Sequence, residues 1–237
     1  MSFFKKIFGS KKKETPIHEK FQEGDIFYTE KEGKYQLFKL LKIDDGVNVF
    51  HVKAFEEVSS IPKANEIGNL RVQIHHFPIA QTGFNQPKLI TNSAVTEDDL
   101  LGYFEYIKQT QNVNEIVKYA KSFYKQAHAL TNKKNHIGAI EKYSKAIELL
   151  PSFYEAIDNR AFCFMDLGKW NEAIEGFKQS LAVNPNSLLA IFSIGECYLR
   201  LKEYPKAKEF FEQAIQIDPN HPKPKEFLEM TNKLMGK

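Results

Sequence analysis

Residues 154–187 read YEAIDNRAFCFMDLGKWNEAIEGFKQSLAVNPNS, and the 34 residues that follow, 188–221, read LLAIFSIGECYLRLKEYPKAKEFFEQAIQIDPNH. Aligned, they set Ala173 over Ala207, Phe177 over Phe211 and Pro185 over Pro219. Residues 120–153 carry the same frame one period earlier, with Ala139, Tyr143 and Pro151. Three further offsets hold small or apolar residues in every copy: Ala127, Ala161 and Gly195; Ala146, Ser180 and Ala214; Ile147, Leu181 and Ile215. Small residues at a fixed period of this length predict two antiparallel helices per unit, packed too closely for a bulky side chain where they cross. Within a unit, Ala139, Ile140, Tyr143, Ala146 and Ile147 recur at spacings of three and four, which makes one apolar stripe per helix. One helix pair cannot bury that stripe alone, so the units must stack. After the third, Pro222 and Pro224 open a capping helix expected within 222–237, with Phe227, Leu228 and Leu234 inward and Lys233 and Lys237 at its positive-preferring end.

The pattern resembles the tetratricopeptide repeat family. In the second unit Gly168, Trp170, Ala173, Phe177 and Pro185 stand where that family has glycine, an aromatic, alanine, phenylalanine and proline. The third unit matches with Gly195, Tyr198, Tyr204, Ala207, Phe211, Ala214 and Pro219. The first departs at Leu130 and His136, where aromatics are usual. The resemblance implies an α-helical solenoid whose first helices line a concave groove through their second, fifth, sixth, ninth and twelfth residues. On this sequence the groove candidates are Tyr124, Lys125 and His128, then Asp158, Asn159, Phe162 and Met165, then Phe192, Glu196 and Leu199. Lys121, Thr131, Glu155, Leu189 and Ser193 fill the remaining positions. Members that clamp a peptide's terminal carboxylate do so with two lysines, two asparagines and an arginine. Only Asn159 matches that set, since Tyr124, His128, Leu189 and Ser193 occupy the other four places, so such a clamp is not expected. The aromatics instead imply an apolar groove, with Asp158 and Glu196 available to a basic side chain; the alternative is that some of them are packing residues.

At 237 residues and 42% hydrophobic content the chain has room for a second domain without being membrane-embedded, and no stretch approaches the roughly 20 apolar residues of a spanning helix. No secretory leader is recognisable, and Cys163 and Cys197 fall one period apart, further than a disulfide reaches, so both are expected reduced and the chain cytoplasmic. Six lysines against Glu14 and Glu19 give residues 1–20 a net charge of +4; with +3 for the whole chain, the remainder is −1. A near-neutral body argues against a nucleic-acid partner, which would call for a basic stripe. In the basic tail, Phe3, Phe4, Ile7 and Phe8 alternate with Lys5 and Lys6 at helical spacing, which suits weak contact with an anionic membrane surface and a peripheral location; a solvated tail is the alternative.

Residues 21–95 have a different character. Segments 25–30, 35–43, 47–55 and 70–77 are rich in β-branched and aromatic residues, and Glu32-Gly33 and Asp45-Gly46 mark hairpins, so a small antiparallel sheet or half-open barrel is expected. Residues 83–92 read as a loop because Pro87 interrupts pairing. Thr96 to Asp99 has capping-box character, opening connecting helices over 96–119, with Asn112 or Asn114 capping the second. The fold class is thus α+β: a β domain, then a helical-hairpin array with its cap. No phosphate loop, nucleophile elbow or zinc-helix motif occurs, and His51, His75 and His76 lie on expected strands where alternation parts the last two, so neither catalysis, metal nor cofactor is expected. The chain reads as a non-catalytic scaffold that binds a peptide or helix of another protein. The alternatives are a membrane-peripheral adaptor tethered by the tail and an enzyme with its site in the β domain.

Overall fold

The structure is a computed structural model that describes residues 21–236; the candidate membrane contacts Phe3, Phe4, Lys5, Lys6, Ile7 and Phe8 lie outside the described residues. The described residues divide into two compact units that part between Gln111 and Asn112.

In the first unit β1 (Asp25–Lys31) and β2 (Lys34–Asp44) are joined by Glu32 and Gly33, whose φ angles of 52° and 75° give the two-residue turn that matches strand twist. The next turn is longer: the Asp44 carboxylate accepts the Gly46 N–H at 3.2 Å and Asn48 takes the left-handed conformation before β3 (Val49–Phe55). With β4 (Val72–Ala80) and β5 (Lys88–Asn92) these make an open antiparallel sheet in the order β4-β3-β2-β1-β5. The loop expected over 83–92 is therefore half strand. Pro87 stops just short of β5, so its missing N–H removes no ladder bond, and β5 pairs with the free edge of β1.

Both faces of the sheet are covered. Phe27, Phe38, Leu40, Phe50 and Val52 form one core with Phe21 and Phe84; Ile26, Tyr28, Leu37, Phe55 and Ile67 form another. β2 consequently buries five successive residues, Leu37 to Leu41, among them Lys39. Register shifts between Val52 and Ala54 and again before Phe55 bulge β4 against β3, and these re-aim the side chains after Ile74. The expected capping box is present, the Thr96 hydroxyl accepting the Asp99 N–H at 3.2 Å and the Asp99 carboxylate accepting the Thr96 N–H at 3.0 Å. It leads through a 3-10 turn into α1 (Leu101–Gln109), which packs on β4 inside the first unit rather than acting as a connector. Gly102 permits that approach: a Cβ there would meet the Cβ of His76 at 2.7 Å.

The second unit is a succession of helical hairpins: α2 (Val113–Asn132) with α3 (His136–Leu149), α4 (Tyr154–Asp166) with α5 (Trp170–Val183), α6 (Leu188–Arg200) with α7 (Tyr204–Ile217), then α8 (Pro222–Met235). Asn112 caps α2 by accepting the Glu115 N–H; Asn135 and Ser187 do the same for α3 and α6. The tight turn inside each hairpin is closed by a left-handed residue at one repeated offset, Lys134, Gly168 and Lys202, with φ of 58°, 69° and 62°. Ala127, Ala161, Ala139, Ala173 and Ala207 are fully buried where helices cross. Gly195 is tighter still, since a methyl there would lie 2.6 Å from the Phe211 ring. On α8, Phe227 meets Phe211 edge-on at 5.6 Å, whereas Leu234, expected inward, is 36% exposed: the helix buries Pro224 and Thr231 on its inner side and turns Leu234 away from it.

Candidate binding groove

Helical spacing gathers the fifth, sixth and ninth residues of each 34-residue unit, carried on α2, α4 and α6, on one side of each helix. On α2, Lys121, Lys125 and His128 are exposed, while Tyr124 is half-buried with its ring 5.0 Å from Phe153 and 5.7 Å from Tyr143. On α4, Asn159 donates one amide hydrogen to Tyr124 Oη at 3.2 Å and another to the Glu155 carbonyl at 2.7 Å, which ties the first two hairpins together. Phe162 and Met165 are half-buried beside the core of the second hairpin, Phe162 edge-on to Phe177 at 5.0 Å. On α6, Phe192 stands between Phe211 at 5.6 Å and Phe227 at 5.1 Å, so its ring also fixes the capping helix. Leu199 is half-buried and Leu189 is 51% exposed. The face is a mixed surface: partly open rings rooted in each hairpin's core, flanked by charge.

Asp158 is 5% exposed, and its Oδ1 has no hydrogen-bond partner among the described residues. Burial raises the pKa of this carboxyl, the Ser180 hydroxyl partly offsets that, and Glu155 reinforces it. Glu196 is also raised by burial, but Arg200 and Lys223 act against the shift. Ser193, another groove position, is fully buried with its hydroxyl unpartnered. Two surface depressions of about 320 and 390 Å³ open elsewhere, one along α8 and one between α4 and α5 around Arg160 and Phe164, and neither is lined by a predicted groove residue. Cys163 and Cys197 are both free and fully buried; burial pushes both thiols up, Cys197 to about 12, which removes thiolate reactivity near neutrality.

A second polar cluster, in the first unit, is invisible in the sequence. Lys39 of β2 and Lys53 of β3, register partners in the sheet, both pair with Asp99, Lys39 at 2.7 Å. Despite its burial, the two ammonium groups and the Thr96 N–H hold the Asp99 carboxyl well below the usual carboxylate range. Beside it the Nδ1 of His51 and Nε2 of His76 are 3.0 Å apart, with the rings stacked and Tyr103 and Tyr106 of α1 against them. The bulge in β4 delivers His76 to this face. Burial first, and then the neighbouring His51, lower His76 to about 4. Among the described residues no group of three or more His, Cys, Asp or Glu side chains could hold a metal ion. The cluster fastens α1 to the sheet.

Residues 155–187 and 189–221 each match a family model described as tetratricopeptide repeat. The helices of 155–221 are tetratricopeptide repeats. The pair α2–α3 repeats the same offsets one period earlier. No curated protein matches the chain. Similar solved structures include the first tetratricopeptide domain of Spaghetti (RPAP3) bound to an HSP90 peptide, SRMEEVD, at 19% identity and TM-score 0.49 over 51% of this chain and 96% of that one. The Sgt2 tetratricopeptide domain from Aspergillus fumigatus is similar at 24% and 0.46, over 49% and 79%. MamA is similar at 20% and 0.48, over 58% and 80%. Among the described residues no helix is long and apolar enough to cross a membrane.

Proposed function

We propose that the chain is a non-catalytic interaction scaffold whose repeat array holds a peptide or helix of another protein against the first helices of its hairpins. The observation that supports this reading is the run of partly open apolar side chains at the expected groove positions of successive helices, Phe162 and Met165 on α4 and Phe192 and Leu199 on α6, of which Met165 and Leu199 hold the same repeat offset, within repeats that match the family model. A solenoid whose units were needed only to bury one another would close these positions with small residues, as it does at Ala127 and Ala161. Half-exposed aromatics rooted in a rigid surface are what binding hot spots require: apolar area already ordered before the partner arrives.

The test is selection from a displayed peptide library on the immobilised full-length chain, followed by affinity measurement on two variants. Phe162→Leu keeps packing against Phe177 but removes the ring face, and Leu199→Asn makes the third hairpin polar. Both should weaken the enriched peptides at least tenfold while leaving the helical circular-dichroism signal intact. Peptides bound equally by all three proteins would place recognition outside this face.

A further inference from the structure

On the candidate groove face of α4, the hydrogen-bonding capacity left open is all of one kind. Asn159 commits both amide hydrogens within the protein, to Tyr124 and to the Glu155 carbonyl, and keeps only its Oδ1 as an acceptor. Asp158 beside it is 95% buried, its Oδ1 makes no hydrogen bond, the Ser180 hydroxyl offsets its burial only in part, and none of the ion pairs among the described residues includes it. Glu155, one turn earlier, is exposed. A terminal carboxylate brought here would find acceptors and negative charge. A buried carboxylate without a counter-cation is destabilising, and a partner that supplies the cation removes that penalty on binding.

The neighbouring elements set the remaining charges. α2 presents the exposed cations Lys121 and Lys125 and the imidazole of His128, whereas α6 presents Glu196, already near Arg200 and Lys223. Along the array the face therefore runs from basic on the first hairpin to acidic on the second. Helices in contact lie 8–10 Å apart and an extended chain advances 3.3–3.6 Å per residue, so side chains about three positions apart in a peptide reach successive hairpins.

Resting on the reading of this face as the binding groove, we infer that it selects an extended segment whose lysine or arginine pairs with Asp158 and whose acidic residue, about three positions away, lies over Lys125. The cation gives specificity and direction; the aromatics give contact area.

The experiment uses the full-length chain and three labelled peptides, each capped at both ends unless stated, read by fluorescence anisotropy at low and physiological salt. The first has a Glu-Ala-Phe-Lys core, the second carries methionine in place of the lysine, and the third is SRMEEVD with its free carboxylate. The lysine peptide should bind at least tenfold more tightly than the methionine peptide. Asp158→Asn, which keeps the shape of the side chain, should erase that difference without weakening the methionine peptide. Comparing the two peptides on the unaltered protein keeps the test valid even where a variant folds poorly. Lysine and methionine peptides that bind alike, and respond alike to Phe162→Leu, would overturn the cation pairing while leaving the groove in place. Tighter binding of SRMEEVD than of the lysine peptide would overturn it in favour of a carboxylate ligand. No measurable binding of the lysine peptide would overturn it as well, and the library selection then decides separately whether the groove binds anything.

Discussion

Gly195→Ala tests how closely α6 and α7 are packed, because two effects of opposite sign compete at that position. Alanine is the better helix former by about 0.8–1.0 kcal/mol in a helix interior, so on local grounds the change is stabilising. Against this, the new methyl would lie 2.6 and 2.8 Å from two atoms of the Phe211 ring, well inside contact distance. That ring cannot swing away: Phe211 is fully buried, with Phe192 and Phe227 each 5.6 Å from it. Relief must come from moving α6 off α7 or α8, and overpacking of this kind costs about 1–3 kcal/mol. The net expectation is a loss of roughly 1 kcal/mol, which in a unit of this size lowers the melting temperature by about 2–8 °C. Thermal melts by circular dichroism measure it, and Phe211→Leu combined with Gly195→Ala should cost less than the sum of the two single changes. A melting temperature unchanged or raised by the alanine would show that the ring yields freely and that close approach does not constrain the third repeat.

Other outcomes follow from the turns, the histidines and the buried ions. Lys134→Gly and Lys202→Gly should each raise stability by up to about 1 kcal/mol, because both lysines hold the left-handed conformation that the equivalent Gly168 adopts without strain; lower melting temperatures would refute it. His76 is held near 4, below its ordinary 6.5, so its contribution is fully present above pH 6.5 and is lost as pH falls toward 4. After discounting for partial exposure this amounts to roughly 1–2 kcal/mol; hydrogen exchange in β3, β4 and α1 should quicken over that window, and His76→Gln should flatten the dependence. Asp99→Ala strands two lysines and should cost about 3–5 kcal/mol in denaturant titrations, whereas Lys39→Met, which leaves Asp99 its Lys53 partner, should cost markedly less.

The hairpin array was legible because each unit repeats the same local problem, so Ala173, Phe177 and Pro185 are checked twice by their equivalents one period away. The β unit offers no such check. β5 escaped notice because its partner β1 lies some sixty residues earlier, and nothing within 88–92 records that β1 has a free edge. The pairing of His51 with His76 depends on bulges that change the facing of β4, and strand alternation alone sends side chains elsewhere. Lys39 sits among apolar neighbours and reads as an outward residue until Asp99, sixty positions later, is seen to meet it. On the candidate groove face, helical spacing predicts which side of its helix each residue occupies. It did not reveal that Phe192 is shared with the capping helix or that Asn159 has no hydrogen left to donate.

The two cysteines give the array a pair of built-in clocks. Cys163 sits in α4 and Cys197 in α6, one in each of two adjacent hairpins; the chain has no third, and each thiol is sealed from solvent and protonated. An alkylating reagent can reach either sulfur only while its hairpin is open, so the rate of modification counts openings of that hairpin alone. Resolved by peptide mass, the two rates report whether the second and third repeats open together or one at a time, and which of them a bound partner holds shut.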